Sequence, residues 1–305
     1  MSSSPTTYTR PLTRDQAGIL HQLLEREGFE FQSKPYTLYA ARKGKLNVAV
    51  YEKGPKVLVQ GRDTGEFVQF KLEPEVLGEA ELGYDEVRHP EWFRPHFGID
   101  ESGKGDFFGP LVIAGFYTDE TTTPALQQLG VADSKKIGGD RRITELAGAI
   151  RKLPGATFDV ILIGPAKYNE LYDKFRNLNR LLAWGHARVI LNLLEKRPDC
   201  PRALSDQFAR VDVLQRALGD RAGGLVLDQQ TKAEADPAVA AASILARDAF
   251  VRWLDEAGTR LGATVPKGAS AQVRSAAARL VSSRGPEILR EVAKVHFKTA
   301  REWLP

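Results

Sequence analysis

Cysteine is almost missing from this chain: Cys200 is the only one in 305 residues. That excludes a disulfide framework and a cysteine-built zinc cluster, and it fits a reducing, cytoplasmic compartment. Cys200 itself is expected to be a small structural residue. No apolar run reaches the roughly 20 residues that a membrane helix needs, so no membrane span is expected. Met1 to Thr9 lack a basic n-region and an apolar h-region, so no secretory leader is expected either. There is no internal repeat and no low-complexity tract. Neither familiar nucleotide fingerprint occurs. Walker A needs Gly-Lys-Ser/Thr before a helix, but Lys104 is followed by Gly105 and Asp106. The dinucleotide motif needs a helix after its glycines, where an apolar strand is expected here. Charge is nearly balanced, +4 overall, so only its distribution is informative.

What is present is a 42% hydrophobic chain long enough for one large domain or two ordinary ones. Residues 1–10 read as loose. Thr13 and Gln16 form a capping box ahead of a helix whose Ile19, Leu20, Leu23 and Leu24 share a face, with Gly28 as its stop. Short β-branched and aromatic segments follow, 36–40, 46–51, 57–60 and 67–70, separated by Gly44, Gly54-Pro55 and Gly61-Arg62-Asp63. They read as an antiparallel sheet. Between Phe31 and Lys71 stand eight basic residues and three acidic ones. Such a sheet suits a nucleic-acid backbone, or else is simply a solvated face. Residues 72–97 are acidic and proline-bearing and read as a linker or peripheral helix. Beyond them we expect strands at 98–101, 111–117 and 157–163, one ending near Asp206, and another over 224–228. Helices are expected over about 140–152, 165–196, 237–258 and 286–303. This order is that of a mixed α/β sheet.

The densest stretch is Gly98-Ile-Asp-Glu-Ser-Gly-Lys-Gly-Asp-Phe-Phe-Gly-Pro110. Asp100 and Glu101 end one apolar run, and the turn Gly103-Lys104-Gly105 follows at once. Hard cations take oxygen ligands and keep several waters, so two carboxylates plus substrate oxygens suffice for magnesium. Flanking glycines let backbone N–H groups approach an anion closely. The plain alternative is a hairpin carrying solvated acids. Further acids stand at Asp206, near a strand end, and at Glu234, shortly before the small-residue helix around Ala241 to Arg247.

Taken together, the Gly98–Pro110 motif, Asp133-Ser-Lys-Lys136, Asn177-Leu-Asn179 with His186, Asp206-Gln-Phe208, Lys232-Ala-Glu234 and Ala241-Ala-Ser-Ile-Leu-Ala-Arg247 resemble the type 2 ribonucleases H. The Gly-Lys-Gly form, Pro266-Lys-Gly268 and the long N-terminal extension resemble the ribonuclease HIII branch. Ribonuclease HII carries Arg at the position of Lys104. The resemblance implies an RNase H-like mixed sheet with flanking helices over 98–305. It also implies a linker over 86–97 and a small α+β, TBP-like substrate-binding domain over 1–85. It implies a monomeric endonuclease that hydrolyses the RNA strand of RNA/DNA hybrids to 5′-phosphomonoesters with Mg²⁺ or Mn²⁺. By the same resemblance Asp100, Glu101 and Asp206 bind metal, and Glu234 completes the catalytic set. The spacing from Glu234 to Ser243 departs from the family pattern, which leaves Asp236 as the alternative. Gly103, Lys104, Gly105, Ser134 and Lys135 would contact substrate. His186 and His296 read as structural, since magnesium does not need imidazole. Two other readings stay open: ribonuclease HII-like cleavage at single embedded ribonucleotides, and a non-catalytic hybrid-binding protein.

Overall fold

The computed structural model describes residues 6–79, 85–131 and 137–304. The chain divides into two compact units, Met1–Glu91 and Trp92–Pro305.

The first unit opens with β1 (Thr7–Pro11) and α1 (Arg14–Arg26), then β2 (Glu30–Gln32), β3 (Thr37–Lys43), β4 (Leu46–Tyr51) and β5 (Lys56–Gln60). The capping box is present: Thr13 Oγ1 accepts from Gln16 N at 3.1 Å, and Gln16 accepts from Thr13 N at 2.9 Å. The sheet runs β1-β5-β4-β3-β2, all antiparallel. From Thr7 onward the segment expected to be loose is instead strand, because β1 pairs along the β5 edge, where its terminal proline needs no partner for a missing N–H. The segment 67–70 is not a strand. It ends α2 (Thr64–Phe67) and starts a π-helix, Val68–Leu77. Val68, Leu72 and Val76 are buried at i, i+4 and i+8, a helical period visible only when the window runs past Phe70. One sheet face packs on the buried residues of α1 and of this helix. The exposed residues Thr7, Gln60, Asn47, Arg42 and Glu30 lie in one row across all five strands.

After α3 (Asp85–Arg88), the second unit contains β6 (His96–Ser102), β7 (Leu111–Thr118), α4 (Thr122–Gln128), α5 (Asp140–Arg151), β8 (Phe158–Ile163), α6 (Pro165–Phe175), α7 (Leu178–Lys196), β9 (Arg202–Asp206), α8 (Val211–Leu218), β10 (Val226–Gln230), α9 (Pro237–Leu261), α10 (Ala271–Arg284) and α11 (Ile288–Val292). Its sheet runs β10-β9-β6-β7-β8, with β6, β7 and β8 antiparallel and β6, β9 and β10 parallel. Strand alternation sends Phe97 and Ile99 to the α7 side, and Val112, Ala114 and Phe116 to the α9 side. No helix among the described residues is long and apolar enough to cross a membrane.

Two helical expectations need correction. The 165–196 stretch is two helices, because Arg176 takes a left-handed φ of 52° and the Asn177 side chain caps α7. The 286–303 stretch holds only α11 and a short 3₁₀ turn, Lys298–Glu302, while α10 was not anticipated. The buried stripe of α10 is mostly alanine (Val273, Ala276, Ala277, Leu280), a weak periodic signal.

Candidate active site

The central strand β6 splits its two acids between the faces of the sheet. Gly98 and Asp100 share the α9 side. A Cβ at Gly98 would lie 2.2 Å from the backbone of Ala238 and Val239, so glycine lets α9 sit directly on the strand. That close approach brings Ser243 of α9 to hydrogen-bond Asp100. Glu101 points the other way, and its Oε2 accepts from His186 Nε2 of α7 at 3.1 Å. Ser205 Oγ of β9 meets the other imidazole nitrogen at 3.1 Å. The β6–β9 register pairs Ile99 with Ser205, so the next pair along is Asp100 and Asp206. Three carboxylates thus gather at one end of the sheet.

Their electrostatics differ. Burial and the Glu101 charge push Asp100 up to about 7, with Asp206 adding to the repulsion, against hydrogen bonds from Ser243 and the Glu101 N–H. Burial also works to raise Glu101. The hydrogen bond and charge of His186, together with Lys104 at 3.2 Å, win and hold it down at about 2. One carboxyl is thus kept ionised beside one that resists ionisation because it is buried against that charge.

The glycine turn lies against these acids. Gly103 has φ +87°, and a Cβ there would stand 2.2 Å from Pro110 O. Asp106 N closes the turn on Gly103 O at 3.2 Å. A cavity of about 470 Å³ is lined by Asp100, Glu101, Asp206, the stretch from Ser102 to Asp106, and Ser243, Arg247 and Lys267. The chain therefore brings together Asp100, Glu101, Asp206, Gly103, Lys104 and Gly105. Ser134 and Lys135 lie outside the described residues.

Glu234 and Asp236 occupy different places. Ala233 N donates to Asp206 Oδ1 at 3.3 Å, so the short turn Ala233–Ala235 carries Glu234 to the Asp206 end of the sheet, although Glu234 is not among the cavity-lining residues. Asp236 is committed elsewhere. It is 2% exposed, accepts from Ala238 N at 2.8 Å and Val239 N at 3.3 Å as the cap of α9, and faces His96 Nε2 at 3.0 Å.

Among the described residues no three acidic, His or Cys side chains form a closed metal-ligand group. The donor set nonetheless fits a hard divalent cation, which takes one or two carboxylates and completes its shell with water and substrate oxygens. The raised Asp100 is the mark of crowded carboxylates that a cation would relieve. Sequence reasoning assigned no role to Ser243, Arg247 or Lys267, though all three lie within the quoted motifs. It also gave His186 no link to Glu101, since their 85-residue separation hides the pairing.

Comparison with known proteins adds the following. The family model for Ribonuclease HII matches residues 97–300. Ribonuclease HIII of Chlamydia felis is 44% identical over 97% of this chain and 97% of its own length. Ribonuclease HIII of Protochlamydia amoebophila is 42% identical over 98% and 97%. Among solved structures, Bst-RNase HIII in complex with Mn²⁺ superposes with a TM-score of 0.66 at 27% identity, covering 97% of both chains. Aquifex aeolicus RNase H3 gives 0.55 at 27% identity, covering 95% of this chain and all of that one.

Proposed function

We propose a mechanism from one premise: the chain belongs to the type 2 ribonuclease H family, on its ribonuclease HIII branch. It is a ribonuclease H, an endoribonuclease acting on the RNA of RNA/DNA hybrids. The observation that carries the mechanism is the meeting of Asp100, Glu101 and Asp206 beside the Gly103–Gly105 turn in one cavity.

Asp100, Glu101 and Asp206 are the residues that would hold divalent cations, with Glu234 as the fourth acid. When bound, Mg²⁺ or Mn²⁺ would supply a water of lowered pKa and would neutralise charge on the leaving 3′-oxygen. The protein's own part is positional. His186 and Lys104 keep Glu101 ionised and oriented. Ser243 fixes Asp100 from the helix side. The Gly103 and Gly105 backbone can approach a phosphate, and peptide groups in such a turn can read 2′-hydroxyls, the mark of RNA. Lys104, Arg247 and Lys267 supply positive charge to the same cavity; Ser134 and Lys135, outside the described residues, are assigned to phosphate binding on the family resemblance alone. Cleavage yields a 5′-phosphomonoester.

The Met1–Glu91 unit is assigned to hybrid binding through its open sheet face. Some of its bases are held within the unit. Lys43 donates to Glu27 O at 2.6 Å and Lys71 pairs with Glu27 at 2.8 Å. A monomer in the cytoplasm completes the proposal, in keeping with a single cysteine that is free and buried.

The test compares kcat/KM on DNA duplexes carrying one and four ribonucleotides, in Mg²⁺ and in Mn²⁺. The proposal expects strong preference for the run. Lys104 offers a flexible point charge where Arg would give a planar fork, so recognition should lean on several 2′-hydroxyls. Equal values in Mg²⁺ would move the chain to the single-ribonucleotide reading.

A further inference from the structure

We propose that Lys294 is a positioning residue that fixes the backbone of the substrate-reading loop, Gly103 to Gly109. The inference rests on the reading of that loop as the substrate-binding turn.

Lys294 is fully buried, just beyond α11. Its Nζ donates to the carbonyls of Asp106 at 2.9 Å, Phe108 at 3.5 Å and Gly109 at 2.6 Å. Its backbone N–H donates to Phe107 O at 2.8 Å. One residue therefore binds four successive carbonyls. This stretch lies between β6 and β7; an isolated antiparallel bridge of Phe108 with Ala293 accounts for the Phe107 carbonyl, and the Lys294 side chain serves the other three. Protonated, the amine has three donors and no acceptor, which matches three converging carbonyls, while burial pushes the group down to about 7. The rings of Tyr168 and Phe250 lie 5.7 and 6.0 Å from Nζ, and the charged group facing it is Asp106.

The rest of the loop is tied to the same support. Phe107 N donates to Gly268 O and Gly109 N to Val292 O, both at 2.9 Å. Gly268 N donates to Asp106 Oδ1 at 2.6 Å. Asp106 in turn closes the glycine turn. The position of Gly103–Gly105 over the carboxylates is thus set from its downstream end by Lys294. A buried charge is a costly way to fill core volume, and methionine would fill it without the desolvation. What methionine lacks is the donors.

The test uses the full chain with Lys294→Met and Lys294→Gln. The first readout is amide exchange by mass spectrometry, which needs no substrate. In Lys294→Met, protection should fall at least about 10-fold in peptides covering 103–109 and 268, and stay unchanged in α9, β6 and β9. The second readout is the kinetic split: KM for an RNA/DNA hybrid should rise about 10-fold or more, with kcat within about 3-fold. Lys294→Gln, which keeps two donors, should recover part of both. Three results would overturn the proposal. Exchange and KM could match wild type, protection could be lost across the sheet and α9 together, or neither variant could fold, which would make Lys294 a global stability element. A wild-type chain that does not cut hybrids would sink the functional reading instead, and the exchange readout would still decide the role of Lys294.

Discussion

Replacing Asp100 by Asn should make the metal-free protein more stable while removing its activity. Asn keeps the shape and deletes the charge. Asp100 is pushed from 3.8 to about 7 by burial and by Glu101, which corresponds to roughly 4 kcal/mol against its charged form. Because Glu101 and Asp206 share this repulsion, a gain of about 2–4 kcal/mol is expected above pH 7. The sign depends on pH. Between about pH 4 and pH 7 the folded carboxyl keeps a proton that the unfolded chain has lost, so wild-type stability falls as pH rises through that window and levels off above it. The amide of the Asp100→Asn variant does not titrate, so the two proteins should match near pH 4 and separate up to pH 7. In chelator at pH 8 the melting temperature should rise by about 4–16 °C, at roughly 2–4 °C per kcal/mol for a unit of this size. Circular-dichroism melts at pH 4.5, 6 and 8 measure it. A variant that is less stable at pH 8, or a difference independent of pH, would refute the reasoning.

Other expectations follow from the same geometry. Glu234→Gln should lower hybrid cleavage by orders of magnitude with little change in melting temperature. Asp236→Asn should do the reverse, losing about 1–3 kcal/mol from a cap and a buried partner of His96 while keeping measurable cleavage; urea unfolding alongside initial rates separates the two. Gly98→Ala should push α9 off β6, costing about 1–3 kcal/mol or more and moving Ser243 away from Asp100, so stability and kcat should fall together. Deleting the residues up to Glu91 should leave a folded unit with weaker hybrid affinity and a shallower dependence of log Kd on log salt. Equal slopes for the two proteins, measured by fluorescence anisotropy, would remove hybrid binding from the first unit.

Much of the candidate site was legible because its residues are local in the chain. The two acids, the glycine turn and the return strand all lie within Gly98–Ala114, where the period-2 apolar pattern and the glycines carry the signal. The family likeness ordered the remaining motifs. What stayed hidden depends on distant pairing. His186 lies 85 residues from Glu101, and only the alternation of β6 aims one acid at α7 and the other at α9. The roles of Asp236 as a helix cap and as the partner of buried His96 are likewise invisible to spacing. Lys294 had a faint signal as the one charge within Val292-Ala-Lys-Val-His-Phe297. The helical nature of 67–70 was masked by its aromatic content until Leu72 and Val76 were counted.

The central claim is that the carboxylate end of this sheet hydrolyses RNA paired to DNA with the help of divalent cations. The most direct measurement is cleavage of an end-labelled RNA/DNA hybrid, mapped at nucleotide resolution beside matched RNA/RNA and DNA/DNA duplexes, with Mg²⁺, Mn²⁺ or chelator. The account predicts internal cuts in the RNA strand of the hybrid alone, products bearing 5′-phosphates, and no cutting in chelator. Undiminished cleavage in chelator, or cutting of all three duplexes alike, would contradict it.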